Sequence, residues 1–576
     1  MLPPVPVLSD YGISPENGFL PDRLPLQHLP DPYYNKWESI VANLQALLLS
    51  KRLRGIIHDL PVLTTTGLED ESEWQRAYMM LAFMAHGYIW GGETPSERVP
   101  PSISIPLLAV AKHLDIPPVA TYAAVVLWNF KPLFNSEPIE NLENLSTLLT
   151  FTGSLDESWF YLTSVAIEAR GGPIVPLMIS AMTAAREKDA PYVTACLRSF
   201  ASRLDDLSVL LVRMHENCDP HVFYHHIRPF LAGSQNMAEA GLPNGVIYDT
   251  GSGTDTYSQF SGGSNAQSSL IQFFDIVLGI QHRPTGQKFD KAHSDQEGTA
   301  PPPKHNFIHD MRRYMPGAHR RFLADVSLCA NIRDFVESRK VDTELTGAYD
   351  LCLARLQNFR DKHIAIVARY VVMKSRETPP WTRDESNKHR QNLALSSSSN
   401  NQDGKKLRGT GGTALMPFLK QARDETVEPA ITPWKKTMGG GFGKLKGVPV
   451  VAPPVTDEKL EKTRSVPDLD LQVNGLAGSW AADVETDGVG GGAVKTPSPS
   501  INPTDRLAGV VSQSPTHPSG SYPAAVCVPA HLTPNQAPPY THTFGAHIPG
   551  ESRAYPTKIS LPPSRFTLSS TPSRAP

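Results

Sequence analysis

The stretch TELTGAYDLCLARLQNFRDKHIAIVARY, residues 343–370, decides the fold. Leu345, Tyr349, Cys352, Leu356, Phe359, His363, Ile366 and Tyr370 recur at alternating steps of four and three. Those steps put all eight on one helical face, because residues three and four apart lie above one another on a 3.6-residue turn. The spacing predicts one long helix over 343–374 with a continuous buried stripe. His363 sits inside that stripe, between Phe359 and Ile366. A histidine there faces the core or a cavity. The pattern fits a core imidazole bonded to a carbonyl. It also fits a neutral imidazole held by a metal or a haem iron.

The same periodicity runs outward from this helix. Trp37, Ile40, Leu44 and Leu47 share a face. Further helices are expected at about 71–91, 104–113, 118–130, 140–151, 156–169, 174–187, 191–217, 221–231, 266–279, 304–313, 318–326 and 330–338. Breakers such as Gly91-Gly92 and Gly171-Gly172-Pro173 separate them. Strand-type alternation is scarce, so the class is all-α. Residues 1–35, rich in Pro and Asp, read as extended chain wrapped on the core. A Gly-, Ser- and Thr-rich stretch, 233–263, reads as a long loop, and lengths of that kind carry function or disorder. Ser264 with Gln267 three residues on has the capping-box pattern.

Composition divides the chain into two materials. Of its 53 prolines, 22 fall in 421–576. That region, with its Gly-Gly-Gly runs and Ser-Pro and Thr-Pro steps, cannot bury enough apolar surface to offset ordering entropy and reads as disordered. The net charge of −3 and pI near 6.7 argue against nucleic acid as a partner. No stretch looks like the roughly 20 apolar residues of a membrane span, and the start of the chain lacks a signal-peptide pattern, so no membrane is expected and the cytoplasm is the expected location. Five cysteines, none in a CxxC, argue against a disulfide framework and a cysteine zinc site. His221 and His225 are four apart, yet no carboxylate or Cys joins them at helical spacing. The glycines at 409–413 match no phosphate-loop spacing. Residues alone therefore reach a large α-helical protein that either binds haem or keeps His363 as a core residue.

Four motifs in order say more. Phe260-Ser-Gly-Gly-Ser-Asn-Ala-Gln-Ser-Ser269 with Phe274-Asp-Ile-Val-Leu-Gly-Ile280, then Met311-Arg-Arg-Tyr-Met-Pro-Gly-Ala-His-Arg320, then Phe359-Arg-Asp-Lys-His363, then Gly409-Thr-Gly-Gly-Thr413 resemble the indoleamine 2,3-dioxygenase family. The resemblance spans about 8–422. It implies a small N-terminal helical domain over 1–115, a larger haem-binding helical domain over 116–422 with a mobile loop at 375–413, and an added disordered tail over 423–576. It implies haem b as cofactor and O₂ as co-substrate, with cleavage of the indole C2–C3 bond of L-tryptophan to N-formylkynurenine, the first step of the kynurenine pathway, by a monomer. A haem protein of the same fold with weak tryptophan turnover, acting on other indoles or as a sensor, is the alternative.

By the same resemblance His363 is the proximal iron ligand and Asp275 a partner orienting it. Arg360 pairs with a haem propionate. Gly263 and Ser264 lie at the haem edge and near the substrate's ammonium. Tyr122, Val125, Phe160 and Ser164 line the pocket. Phe223 packs on the indole, Arg228 takes the carboxylate, and Thr410 belongs to the closing loop. No residue is expected to act as acid or base. The chain departs from mammalian members at Val125, where they carry Cys, at Tyr224 in place of a second Phe, and at Pro229. Proline there is expected to kink the helix and shift Arg228.

Overall fold

The computed structural model describes residues 2–286, 306–376, 398–399, 406–407 and 415–432. All lie in a unit spanning Met1–Ala452; a second unit, Pro453–Pro576, lies outside the described residues. The described part is mostly helical. Its strands are two or three residues long. Arg98–Val99 pairs in parallel with Val246–Tyr248, which pairs antiparallel with Tyr257–Ser258.

The long helix forms as Thr343–Val367. Asp342 caps it, accepting a hydrogen bond from the Leu345 amide, and Glu344 in its first turn complements the helix dipole. Leu345, Tyr349, Cys352 and Leu356 are fully buried. They pack along the helix Ala190–Val212, whose Leu197, Phe200, Leu204 and Leu207 are equally buried. This pair is the spine of the molecule. The helices Leu155–Gly171 and Ile174–Glu187 flank it. Together these two span Leu155–Glu187, a stretch long and apolar enough, at mean hydropathy 1.2, to cross a membrane by length and composition. The expectation that nothing comes near a span is corrected to that extent; 67% of the apolar window is buried inside the protein, as in a core helix.

The N-terminal chain wraps the core as expected. Ile13, Phe19 and Leu20 are buried, and Phe19 meets Phe273 and Phe322 edge-on. Among the described residues one apolar cluster joins side chains from Ile13 to Val371, on both sides of the expected boundary at 115.

Three expectations need correction. Residues 140–151 form no α-helix. Asn144 instead bonds the Phe134 amide and carbonyl, and Leu145–Ser146 pairs with Lys131–Pro132, so side-chain bonds to backbone displaced the helical ladder. The 233–263 loop carries the two strands Val246–Tyr248 and Tyr257–Ser258. The tail does not begin at 423. The helix Leu415–Thr426 continues past that point, Glu425 and Thr426 are buried, and the Ile431 and Thr432 amides bond Asp350. Thr410 and most of 375–413 lie outside the described residues. In the described parts of that segment, Ser398–Ser399 pairs with Lys406–Leu407.

Candidate functional site

A cavity opens beside the long helix. Water-sized spheres fit over about 260 Å³ of it, within about 1940 Å³ of atom-free space reaching the mouth. Its walls are mostly carbon. Tyr122, Val125, Phe160, Ser164, Phe223, Arg228, Gly263, Ser264, Asp275, Arg360 and His363 all line it. Every expected site residue among the described ones is therefore gathered at one place. His221, His225 and His226 do not line it, and among the described residues no group of three His, Cys, Asp or Glu could hold a metal ion.

His363 is half-buried because one side of its ring meets the cavity. Burial, with Arg360 nearby, holds its pKa at about 4, so it is neutral at pH 7 and keeps a lone pair to donate. Among the described residues no hydrogen bond to its ring is found. Asp275 does not orient it. Both carboxylate oxygens of Asp275 take bonds of 2.7 Å from Arg360 Nη2, and Oδ2 also lies 3.0 Å from His282 Nε2. The expected partner is thus corrected: Arg360 and His282, a buried histidine that the sequence did not point to, take this carboxylate, and no bond joins it to the His363 ring. Arg360 lines the cavity, with Nη1 on Thr426 Oγ1 and Nη2 on Asp275.

Across the cavity, the Phe160 and Phe223 rings lie 4.8 Å apart at 57°. Tyr370 stands edge-on to Phe223. Arg228 is 5% exposed, and burial lowers its pKa, but a guanidinium stays charged in proteins. Its charge lies over the Tyr224 ring, 5.6 Å from the centroid. Pro229 does not displace it. The chain tightens into a 3₁₀ turn over Arg228–Leu231, and proline sits at the start of that turn, where its missing N–H costs nothing.

Three wide, π-helical turns border the cavity: Ala123–Leu127, Phe223–Ile227 and Ala368–Met373. Each delivers wall residues, namely Val125, Phe223 and Tyr370. An extra residue in a turn rotates the following side chains by roughly 100°, and such turns recur at functional sites. Periodicity at 3.6 cannot announce them, so they were invisible in the sequence.

The Gly-Gly-Ser segment is held close by a backbone crossing. A Cβ on Gly262 would lie 2.0 Å from the Leu231 carbonyl oxygen, and one on Gly233 2.1 Å from that of Phe260. Only glycine lets these two stretches of chain touch, which packs the segment leading into Gly263 and Ser264 against the one that follows Arg228. Ser264 caps a single 3₁₀ turn, Asn265–Gln267; Ser268 caps the α-helix Ser269–Val277 proper. A polar network unforeseen in the sequence stands behind this wall. Tyr122 donates to Glu168 Oε1 at 2.9 Å, and Ser268 to the same oxygen at 2.6 Å. Burial raises the Glu168 pKa to about 7 despite both bonds.

Residues 7–429 match the family described as indoleamine 2,3-dioxygenase. An indoleamine 2,3-dioxygenase of Saccharomyces cerevisiae is 43% identical over 445 residues, covering 74% of this chain and 94% of its own length. One of Penicillium citrinum is 40% identical, covering 73% and 88%. A 6-hydroxytryptophan 2,3-dioxygenase of Fusarium equiseti is 38% identical, covering 73% and 97%. With that match over residues 7–429 and these identities over nearly the full length of the relatives, the chain belongs to the indoleamine 2,3-dioxygenase family.

Proposed function

We propose that this protein is a haem-dependent dioxygenase that cleaves the indole C2–C3 bond of L-tryptophan with O₂ to give N-formylkynurenine. The observation that carries the reading is the His363 imidazole, uncharged and open to a carbon-walled cavity that Arg228, Phe160 and Phe223 also line. The site fits haem in kind: one neutral nitrogen donor, apolar walls, and no multi-residue ligand set for a bare metal among the described residues.

His363 would hold the iron, and haem bound there supplies the centre at which O₂ is made reactive toward the indole. The chain's own residues bind and orient. Arg228 would take the substrate carboxylate through a planar, two-point pairing. Phe160 and Phe223 would flank the indole ring, giving it one orientation and displacing water from the face that reacts. Val125 and Gly263 leave the adjoining wall small and apolar. Both oxygen atoms of O₂ end in the product, one as the formyl carbonyl and one as the ketone. The turnover therefore consumes no external electrons and asks no side chain to store a proton.

The test is the absorption spectrum of the purified full chain, followed by L-tryptophan turnover with a reductant, read at the N-formylkynurenine band. A haem Soret band and product formation are expected. A colourless protein after haem reconstitution overturns the cofactor. Turnover of 6-hydroxytryptophan in place of L-tryptophan overturns the substrate.

A further inference from the structure

The helix Leu415–Thr426 forms one wall of the cavity through Leu415, Phe418, Leu419 and Ala422. We infer that His282 is the positioning residue that clasps this helix in place, as an imidazolium gripped between Asp275 and Glu425.

The His282 side chain is 6% exposed. Its Nε2 lies 3.0 Å from Asp275 Oδ2 and its Nδ1 2.7 Å from Glu425 Oε2. A neutral imidazole carries one N–H, so one of the two carboxylate oxygens against the ring would face a lone pair. Only the protonated ring satisfies both. The bonds continue into a closed circuit. Asp275 accepts from Arg360, and Arg360 donates to Thr426, the residue after Glu425. The circuit thus leaves the helix at Glu425 and returns to it at Thr426, crossing the helix Ser269–Val277 and the long helix on the way. The Asn306 side chain bonds the His282 carbonyl at 2.6 Å and secures its backbone.

The charges facing the ring from each packed element are Asp275, Glu425 and Arg360. Arg283 is next in sequence, paired with Glu428 at 2.6 Å, and Arg312 acts on Asp275 from the 312–314 turn. Burial opposes the imidazolium, but Asp275 and Glu425 outweigh it and raise its pKa above the ordinary 6.5. The sign follows from linkage. A folded pKa above the unfolded one means that the stabilisation is complete below about 6.5 and is lost as pH rises through the folded value. Deprotonation leaves one carboxylate facing a lone pair, and the helix loosens from the cavity.

The clasp stands on geometry alone. Its effect on haem retention rests on the function proposed above. Hydrogen exchange of the full, haem-free chain, corrected for intrinsic rates, tests it between pH 6 and 9.5. Amides of 415–432 should lose protection about tenfold or more across that range, as expected for loss of one bond to a charged group, while helix 190–212 stays unchanged. His282→Gln should be poorly protected at both ends, with the pH step gone. Glu425→Gln, which removes the partner from the other side, should behave alike if the first variant does not fold. A wild-type chain flat over the range, or variants as protected as wild type, overturns the clasp. In the haem-loaded protein, His282→Gln should release haem to excess apomyoglobin about tenfold faster at pH 6.5, the same bond being lost. A chain that takes up no haem removes the function proposed, while the exchange result still decides the clasp.

Discussion

At the scale of single residues, environment rather than identity sets the chemistry. His363 faces a cavity and the His282 side chain is buried between carboxylates, and one is neutral while the other is charged. Carbon surrounds His363 on the cavity side, so the proton is lost. Two carboxylates grip His282, so the proton stays. Replacing His363 by alanine should abolish the Soret band of the purified protein while circular dichroism shows the helices intact. Retention of full haem would remove the ligand role. Arg228→Ala should raise KM for L-tryptophan about ten- to a hundredfold, the worth of a charge-assisted pairing, with a smaller change in kcat. Steady-state kinetics decides it, and an unchanged KM would take the carboxylate elsewhere. A motif made His363 legible in the sequence, and the family resemblance that the motifs carry pointed to Arg228. His282 was not, because nothing in the local pattern around Gln281-His282-Arg283 announces a carboxylate arriving from residue 425.

At the scale of elements, regular helices were readable and their irregularities were not. The stripe from Leu345 to Tyr370 predicted its helix because burial of one face at steps of three and four is a local property. The wide turns at 123–127, 223–227 and 368–373 were hidden, since each depends on what packs against it. So was the reason for the Gly-Gly pair. Gly262→Ala would drive a methyl into the Leu231 carbonyl, which cannot swing away as a side-chain tip could. It should cost about 1–3 kcal/mol as overpacking and open the wall between Ser264 and Arg228. A lower Tm together with weaker tryptophan binding is the expected outcome. A variant matching wild type in both would show that the crossing has slack.

At the scale of the whole molecule, the last described segment, 415–432, matters most. Contacts from 421–432 reach Arg283, Asp275 by way of His282, Arg360, Asp361 and Asp350. A chain ending after Thr432 should therefore keep its melting temperature and its haem. One ending after Ala414 should lose haem, because it lacks a cavity wall. Thermal melts and Soret absorbance of the two truncations check this, and equal behaviour would deny the helix Leu415–Thr426 its place in the site.

The sequence by itself determined the helical class, the stripe that buries His363, and the family through four motifs in order, because apolar periodicity and short motifs are encoded within a few turns of chain. It also marked the Pro-rich composition of the C-terminal region. Only the tertiary structure decided which charge meets which: that Asp275 serves Arg360 and His282 instead of His363, that Glu168 stands behind Tyr122 and Ser268, and that Glu425 and Thr426, just past 422, tie a cavity-lining helix to His282 and Arg360. The longest of these pairings join distant segments: Asp275 and Arg360 are 85 residues apart, Glu168 and Ser268 100, and His282 and Glu425 143. An ion pair across such a distance is fixed by how helices stack, which no local pattern records.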